Sequence, residues 1–445
     1  MNTWNIILKQ DSKDTFSVAV ASDQKKLIIN TGLTSGFEAM LSTNLFTELR
    51  RHNLAVGSNI NDLLHLALGV YTTDQIISRR YYGFQGWSRH FKLFAPVSDI
   101  DDWVPCQKSI EDLLSFLSGD KWEITFRQKI WEQKRIELST DTNPRKIQTV
   151  SLFSGGMDSF IGALDLLEDK VKVAFVSHYK RGSESGVQSK LYEELSKKYG
   201  KPSFVSHQFY VQPNQKHKDT SKEGSSRARS FLFMCLGLSV ANSLGPDVDF
   251  IIPENGLISL NVPLTGTRLS SHSTRTTHPY YLSLFKEIMV ALGVGNPITN
   301  PYQFRTKGEM MVQCKNQKLL KDLGSQTLSC SHSELSRYAG LSPGIQCGYC
   351  VPCLIRQAAE KKSKINGTKY VHSVGKSPPS QTSQSGSDIR AFKLAIERMN
   401  SRSEHSIMFD VLNSGPVPFD TESELIEYVE VYKRGMYEVK EFLKM

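Results

Sequence analysis

Val150-Ser151-Leu152-Phe153-Ser154-Gly155-Gly156-Met157-Asp158-Ser159 is the stretch that decides the fold. Its first four residues read as a buried strand, a glycine pair breaks the run, and apolar residues at helical spacing follow through Leu167. Two adjacent glycines let the backbone turn tightly and bring its N–H groups near an anion with no Cβ atoms in the way. The helix that follows adds the partial positive charge of its N-terminus. Ser154 and Ser159 carry hydroxyls able to donate to phosphate oxygens, and Asp158 carries a carboxylate suited to capping the helix or reaching a magnesium ion. The lysine and spacing of a G-x-x-x-x-G-K-[ST] phosphate loop are absent. A bare glycine pair would imply only a ligand-free turn; the whole hexapeptide between strand and helix implies an anion site.

Outward from this loop, strand and helix patterns alternate. Segments 171–177, 202–206, 249–252 and 298–304 read as strands, and 188–199, 227–244 and 280–292 as helices. Repeated β-α units predict an α/β fold, a parallel sheet covered by helices on both faces, with the ligand at the carboxyl ends of its strands. Residues 1–145 read as a separate α+β module, with strands at 4–8, 16–20 and 26–29 and a helix at 60–77. Turn chemistry at 141–145 marks its end. The core unit then spans 146–365, and 366–445 holds a Ser-, Pro- and Gly-rich loop at 375–387 and closing helices at 388–399 and 422–443. The N-terminal module shows no catalytic constellation, so oligomerisation, partner docking or covering the active site are its expected uses.

Hydrophobic residues at 39% and charged residues at 22% place the 445-residue chain among globular proteins. No apolar run approaches the roughly 20 residues needed to cross a bilayer. The first residues lack the basic start and apolar stretch of a signal peptide, so a cytoplasmic protein without membrane partners is expected. The net charge of +9 suits an enzyme that handles polyphosphate, and it also suits contact with nucleic acid or an acidic partner.

Seven cysteines in a cytosolic chain argue against structural disulfides, and four of them crowd between Cys330 and Cys353. Cys330, Cys347, Cys350 and Cys353 are spaced C-x16-C-x2-C-x2-C, a pattern that brings four thiolates to one tetrahedral zinc. Gly348 frees the backbone to fold round the ion, and Pro352 stiffens the second turn. His332 and Cys314 lie nearby as surplus ligands. Four thiolates leave no position open for water, so the site is expected to be structural.

The hexapeptide resembles the SGGxDS motif of the ATP-pyrophosphatase (PP-loop, HUP-like) enzymes. These split ATP between its α- and β-phosphates, activating an oxygen as an adenylate that a nitrogen or sulfur nucleophile then displaces. Followed about 170 residues later by Cys…CGxCxxC, the motif resembles the QueC family of 7-cyano-7-deazaguanine synthases. Tyr179 stands where that family has an aspartate-tyrosine-glycine-glutamine segment, here Ser177-His178-Tyr179-Lys180-Arg181-Gly182. Arg227-Ala228-Arg229 matches an arginine-bearing loop, and Thr306-Lys307-Gly308-Glu309 matches a T-K-x-E segment whose lysine faces phosphates. The resemblance covers about 148–360. Where the family reads its substrate with tyrosine-proline-aspartate-cysteine-arginine, this chain has Ser273-Thr274-Arg275-Thr276-Thr277-His278-Pro279, with no base-reading aspartate evident. That departure and the added N-terminal module resemble the QueC-like proteins of bacterial anti-phage systems of the Qat and CBASS type.

The resemblance implies an ATP- and magnesium-dependent ligase acting on a 7-deazaguanine carboxylate, with an amine acceptor that is ammonia or a protein partner from a defence operon. Asp158, Lys307 and Arg227 are the expected catalytic residues, acting on the polyphosphate with magnesium. Ser154, Gly155, Gly156, Met157, Asp158 and Ser159 are expected to bind ATP, and Arg229, Arg275 and His278 the substrate. His178, His272 and His278 are candidate bases toward the amine, and hydrogen-bonding histidines otherwise. Two other readings stand beside this one: a tRNA- or nucleic-acid-modifying enzyme of the same class, and a non-catalytic nucleotide-binding subunit of a defence complex.

Overall fold

A computed structural model describes residues 3–32, 41–130, 143–180, 183–214, 221–265, 275–332, 336, 340–342, 344–374, 379–380 and 383–445. Arg181, Gly182, His272, Ser273, Thr274, part of the expected boundary at 141–142 and part of the expected linker at 375–378 and 381–382 lie outside the described residues.

Two sheets organise the chain. The first is built from β1 (Thr3–Lys9), β2 (Lys25–Asn30), β4 (His90–Val97) and β5 (Lys121–Gln128) in the order β2-β1-β4-β5, and the short β3 (Leu41–Thr43) leaves it for the second sheet. All pairs in the first sheet are parallel, so this region is α/β rather than the expected α+β. The reason lies at 16–20, which forms no strand. Parallel neighbours cannot be joined by a tight hairpin, and the chain from β1 to β2 is spent on that crossover.

The second sheet holds β6 (Thr149–Leu152), β7 (Val173–Tyr179), β8 (Phe204–Pro213), β9 (Asp249–Ile251) and β10 (Ile298–Thr299), in the order β10-β9-β6-β7-β8-β3. Its strands are parallel apart from β3, which pairs antiparallel with β8. Every residue of β6 is buried, as a central strand covered on both faces requires. β8 instead alternates buried and half-buried residues, as suits a strand near the edge. The strand expected over 298–304 stops after two residues: Pro301 has no N–H to donate, and the chain turns there.

The helix Ser58–Ile76 is buried on nearly all sides, between the first sheet and the helix Arg229–Leu244. One apolar core therefore runs from Trp4 in the first sheet through Phe250 in the second. A second cluster, with Phe153, Phe160 and Phe175, fills the opposite face of the second sheet. The C-terminal helix Glu422–Leu443 packs on the helix Val351–Ser363 and gathers a third. Among the described residues, no helix is long and apolar enough to cross a membrane.

Candidate functional site

The hexapeptide closes β6 and opens the helix Met157–Glu168, with Gly156 in the capping position. Gly155 takes φ +83°, the left-handed region, and a Cβ there would stand 3.2 Å from the Gln188 side chain. Inside the loop, Gly156 N–H donates to Ser154 Oγ at 3.2 Å, and Ser159 Oγ donates to Gly156 O at 3.0 Å. Ser154 is exposed, while Asp158 and Ser159 are buried. A cavity of about 330 Å³ opens beside the loop at the carboxyl ends of β6, β7 and β9, a size within the usual range of small-molecule sites. Ser154, Ser159, Glu184, Ser226, Arg229, Phe233 and Glu254 are among the residues lining it.

Asp158 and Lys307 come together, as a buried ion pair below the loop. Lys307 is placed by the helix Lys307–Gln313, which Thr306 and Glu309 start with a capping box. Asn255 Nδ2 donates to the same carboxylate at 2.7 Å. Burial pushes the Asp158 carboxyl up, but the Lys307 ammonium and hydrogen bonds from Glu254 and Asn255 outweigh it and hold the group below the usual carboxylate range. Burial and the adjacent Asp158 charge push Glu254 well above that range. Glu254 lines the cavity, and its Oε1 accepts from Asn255 Nδ2 at 3.2 Å, so one amide bridges the two carboxyls.

Arg229 stands in the cavity wall. Its two terminal nitrogens donate to the two Glu184 oxygens, each at 2.8 Å, and its Nε donates to His178 Nδ1 at 3.1 Å. Burial and the Arg229 charge keep His178 neutral, with its pKa well below the ordinary value. An imidazole that accepts from a guanidinium is a fixed acceptor, not a free base. Tyr71, from the N-terminal helix, meets the His178 ring edge-on at 5.6 Å.

The other expected residues fall elsewhere. Arg227 donates to Ser118 O at 2.7 Å across the contact with the N-terminal region, where burial and nearby Arg79 lower its pKa to about 10. Arg275 lies over the Phe116 ring at 4.4 Å. His278 accepts from Tyr280 N–H at 3.1 Å, capping the helix Pro279–Ala291, and its Nε2 lies 2.8 Å from Ser414 Oγ. Burial lowers its pKa to about 3.

The four expected cysteines converge, with all sulfurs within 4.8 Å of one another. Cys330 and Cys350 Sγ are 3.9 Å apart, and Cys347 and Cys353 Sγ 3.8 Å. A tetrahedron with metal–sulfur bonds of about 2.3 Å has edges of about 3.8 Å, so the separations fit a zinc-type ion. Cys347 N–H donates to Cys330 Sγ at 3.2 Å and Cys350 N–H to Cys347 Sγ at 3.4 Å, as suits thiolates. Gly348 has φ +87°, and a Cβ would lie 2.0 Å from His372 O. His332 stays outside the group, its Nδ1 4.0 Å from Cys347 Sγ. Cys106, Cys235 and Cys314 are buried and free.

Glu184, Glu254 and Ser329 are the site's unexpected members. Ser329 accepts from Met157 N–H at 3.1 Å, and its neighbour Leu328 donates N–H to Gly155 O at 2.9 Å. The one signal for Ser329 was its place directly before a metal-ligand cysteine; the two glutamates carried none beyond lying past expected strand ends. No protein-family profile and no curated protein matches the chain.

Proposed function

We propose that the chain is a QueC-like enzyme of the ATP-pyrophosphatase (PP-loop) class, coupling a 7-deazaguanine-type carboxylate to an amine with release of AMP and pyrophosphate. The observation that carries this reading is the strand–hexapeptide–helix turn opening on a cavity at the carboxyl ends of parallel strands. ATP, when bound, supplies the leaving groups of the coupling. The loop amides and the Ser154 and Ser159 hydroxyls bind polyphosphate, and the helix N-terminus adds to the local positive potential. Glu254 in the cavity wall and Asp158 behind it would hold magnesium once the ion displaces any proton they share, with Lys307 balancing the charge. Arg229 orients an anionic or carbonyl group of the substrate, and Phe233 and Met234 offer an apolar face to a flat ring. Zinc at the four cysteines has a structural task. The amine belongs to ammonia or to a protein of a defence operon.

A tRNA-thiolating enzyme would need a reactive cysteine near this edge. Burial raises the Cys314 thiol to about 12 and pushes Cys235 well above its ordinary value, which weighs against that reading.

The test is product analysis by mass spectrometry after incubating the protein with magnesium, ATP and 7-carboxy-7-deazaguanine, with and without candidate acceptors. AMP and pyrophosphate are expected, and Ser154→Ala or Asp158→Ala abolishes both. ADP in their place would place the cleavage at the wrong bond for this class. ATP binding without turnover under any condition would favour a nucleotide-binding subunit.

A further inference from the structure

The segment 324–330 is a strap between the cysteine cluster and the glycine loop. At one end, Cys330 joins the metal-type group, and buried Arg356, on the helix that carries Cys353, donates to Gly324 O at 2.7 Å and Thr327 O at 3.0 Å. Gln346, next to Cys347, donates to Thr327 O at 3.2 Å. At the other end, Leu328 N–H donates to Gly155 O, and Ser329 Oγ takes the Met157 N–H.

That N–H is one of the donors a helix N-terminus leaves for an anion. Ser329 oxygen occupies it, much as Ser154 oxygen occupies the Gly156 N–H. Among the described residues no acceptor takes the Ser329 proton. Gly156 is also packed so that a Cβ would stand 3.3 Å from Ser329 Oγ and 3.5 Å from Leu328 O, so strap and loop fit closely. Leu328 and Cys330, on either side of Ser329, line the cavity.

We propose that Ser329 is a further polyphosphate-binding residue, delivered to the glycine loop by the metal-binding segment, so that metal and polyphosphate each stabilise the other's site. The proposal rests on the ATP reading of the loop. The hydroxyl holds the amide when the site is empty and donates its own hydrogen to a phosphate oxygen when it is filled. Because the cysteine ligands fix the strap, any preference of polyphosphate for the ordered strap must appear equally as tighter retention of the metal.

Full-length, zinc-loaded protein is titrated with magnesium-ATP and with inorganic pyrophosphate, and zinc affinity is measured by equilibrium competition with a chromogenic chelator, with and without saturating ATP. Ser329→Ala is expected to keep about one zinc per chain and to bind both probes about ten-fold or more weakly, the loss of one hydrogen bond to a charged group. ATP is expected to tighten zinc binding several-fold in the wild type. Equal affinity in Ser329→Ala, or wild-type zinc affinity indifferent to bound ATP, overturns the proposal and leaves the ATP site standing. A wild type that binds neither probe removes the ATP reading and this proposal with it. Were Ser329→Ala unable to fold, the wild-type zinc affinities with and without ATP decide alone.

Discussion

Lys307 and Asp158 lie 149 residues apart in sequence and are buried against each other, which makes their charges interdependent. Asp158 has a folded-state pKa below its unfolded value of about 3.9. Its contribution to stability is therefore present above that pH and is lost as pH falls through the folded value. Lys307→Met reverses the sign. Burial, the largest influence on Asp158, then remains without the opposing ammonium, the carboxyl rises, and stability falls as pH climbs past about 4. At pH 7 the variant is expected to lose about 3–5 kcal/mol, the cost of an uncompensated buried charge. Denaturant unfolding at pH 4 and pH 7 checks this, because the penalty must be clearly larger at pH 7. An equal penalty at both would mean that lost packing alone is felt. The hexapeptide was legible because glycine and hydroxyl residues at fixed offsets have a local geometric meaning. Glu184 and Glu254 were not, since an acidic residue has the same local signature whether it is solvated or set in a cavity wall.

Elements were legible where their period was strong. β6, β7 and β9 with the helices between them follow the alternation of apolar runs, while 16–20 has an alternating pattern and no partner strand to pair with. The cysteine turn is an element whose chemistry fixes its backbone. Gly348 sits at φ +87° with His372 O where a Cβ would go, and Gln357 Nε2 donates to Gly348 O at 2.7 Å. Gly348→Ala adds both a left-handed strain of about 1–2 kcal/mol and a backbone clash. The His372 segment must then move, taking with it the turn that aims Cys347 and Cys350. Metal analysis of the purified variant is expected to give well under the wild type's content of about one zinc per chain, with a lowered unfolding midpoint that added zinc partly restores. Full zinc occupancy with an unchanged midpoint would show that the turn has room which the backbone does not display.

At the scale of the molecule, the boundary read at 141–145 is a change in sequence rhythm, and the packing crosses it. The helix Ser58–Ile76 lies on the helix Arg229–Leu244, and the helix Gln107–Ser118 lies on Pro279–Ala291. β3 covers the β8 edge of the second sheet. Polar contacts cross as well: Asp74 accepts from Ala228 N–H at 3.1 Å, Arg79 pairs with Glu223 at 3.7 Å, and Ser118 O receives Arg227. None of this is visible locally, because a buried face reads the same in sequence whether it meets its own sheet or a neighbour's. A chain beginning at Lys146 would uncover part of the core that joins the two sheets, strip β8 of its edge partner and leave Arg227 without Ser118 O. Exposed apolar surface and an open strand edge both promote association between copies. We expect the truncated chain to appear in the insoluble fraction, and co-expression of residues 1–145 as a separate chain to return it to solution as a one-to-one complex. Fractionation with and without the second chain, followed by size-exclusion chromatography, decides it. A soluble, monomeric truncation with cooperative unfolding would instead show that the second sheet carries a sufficient core of its own, and that the N-terminal region is an added layer.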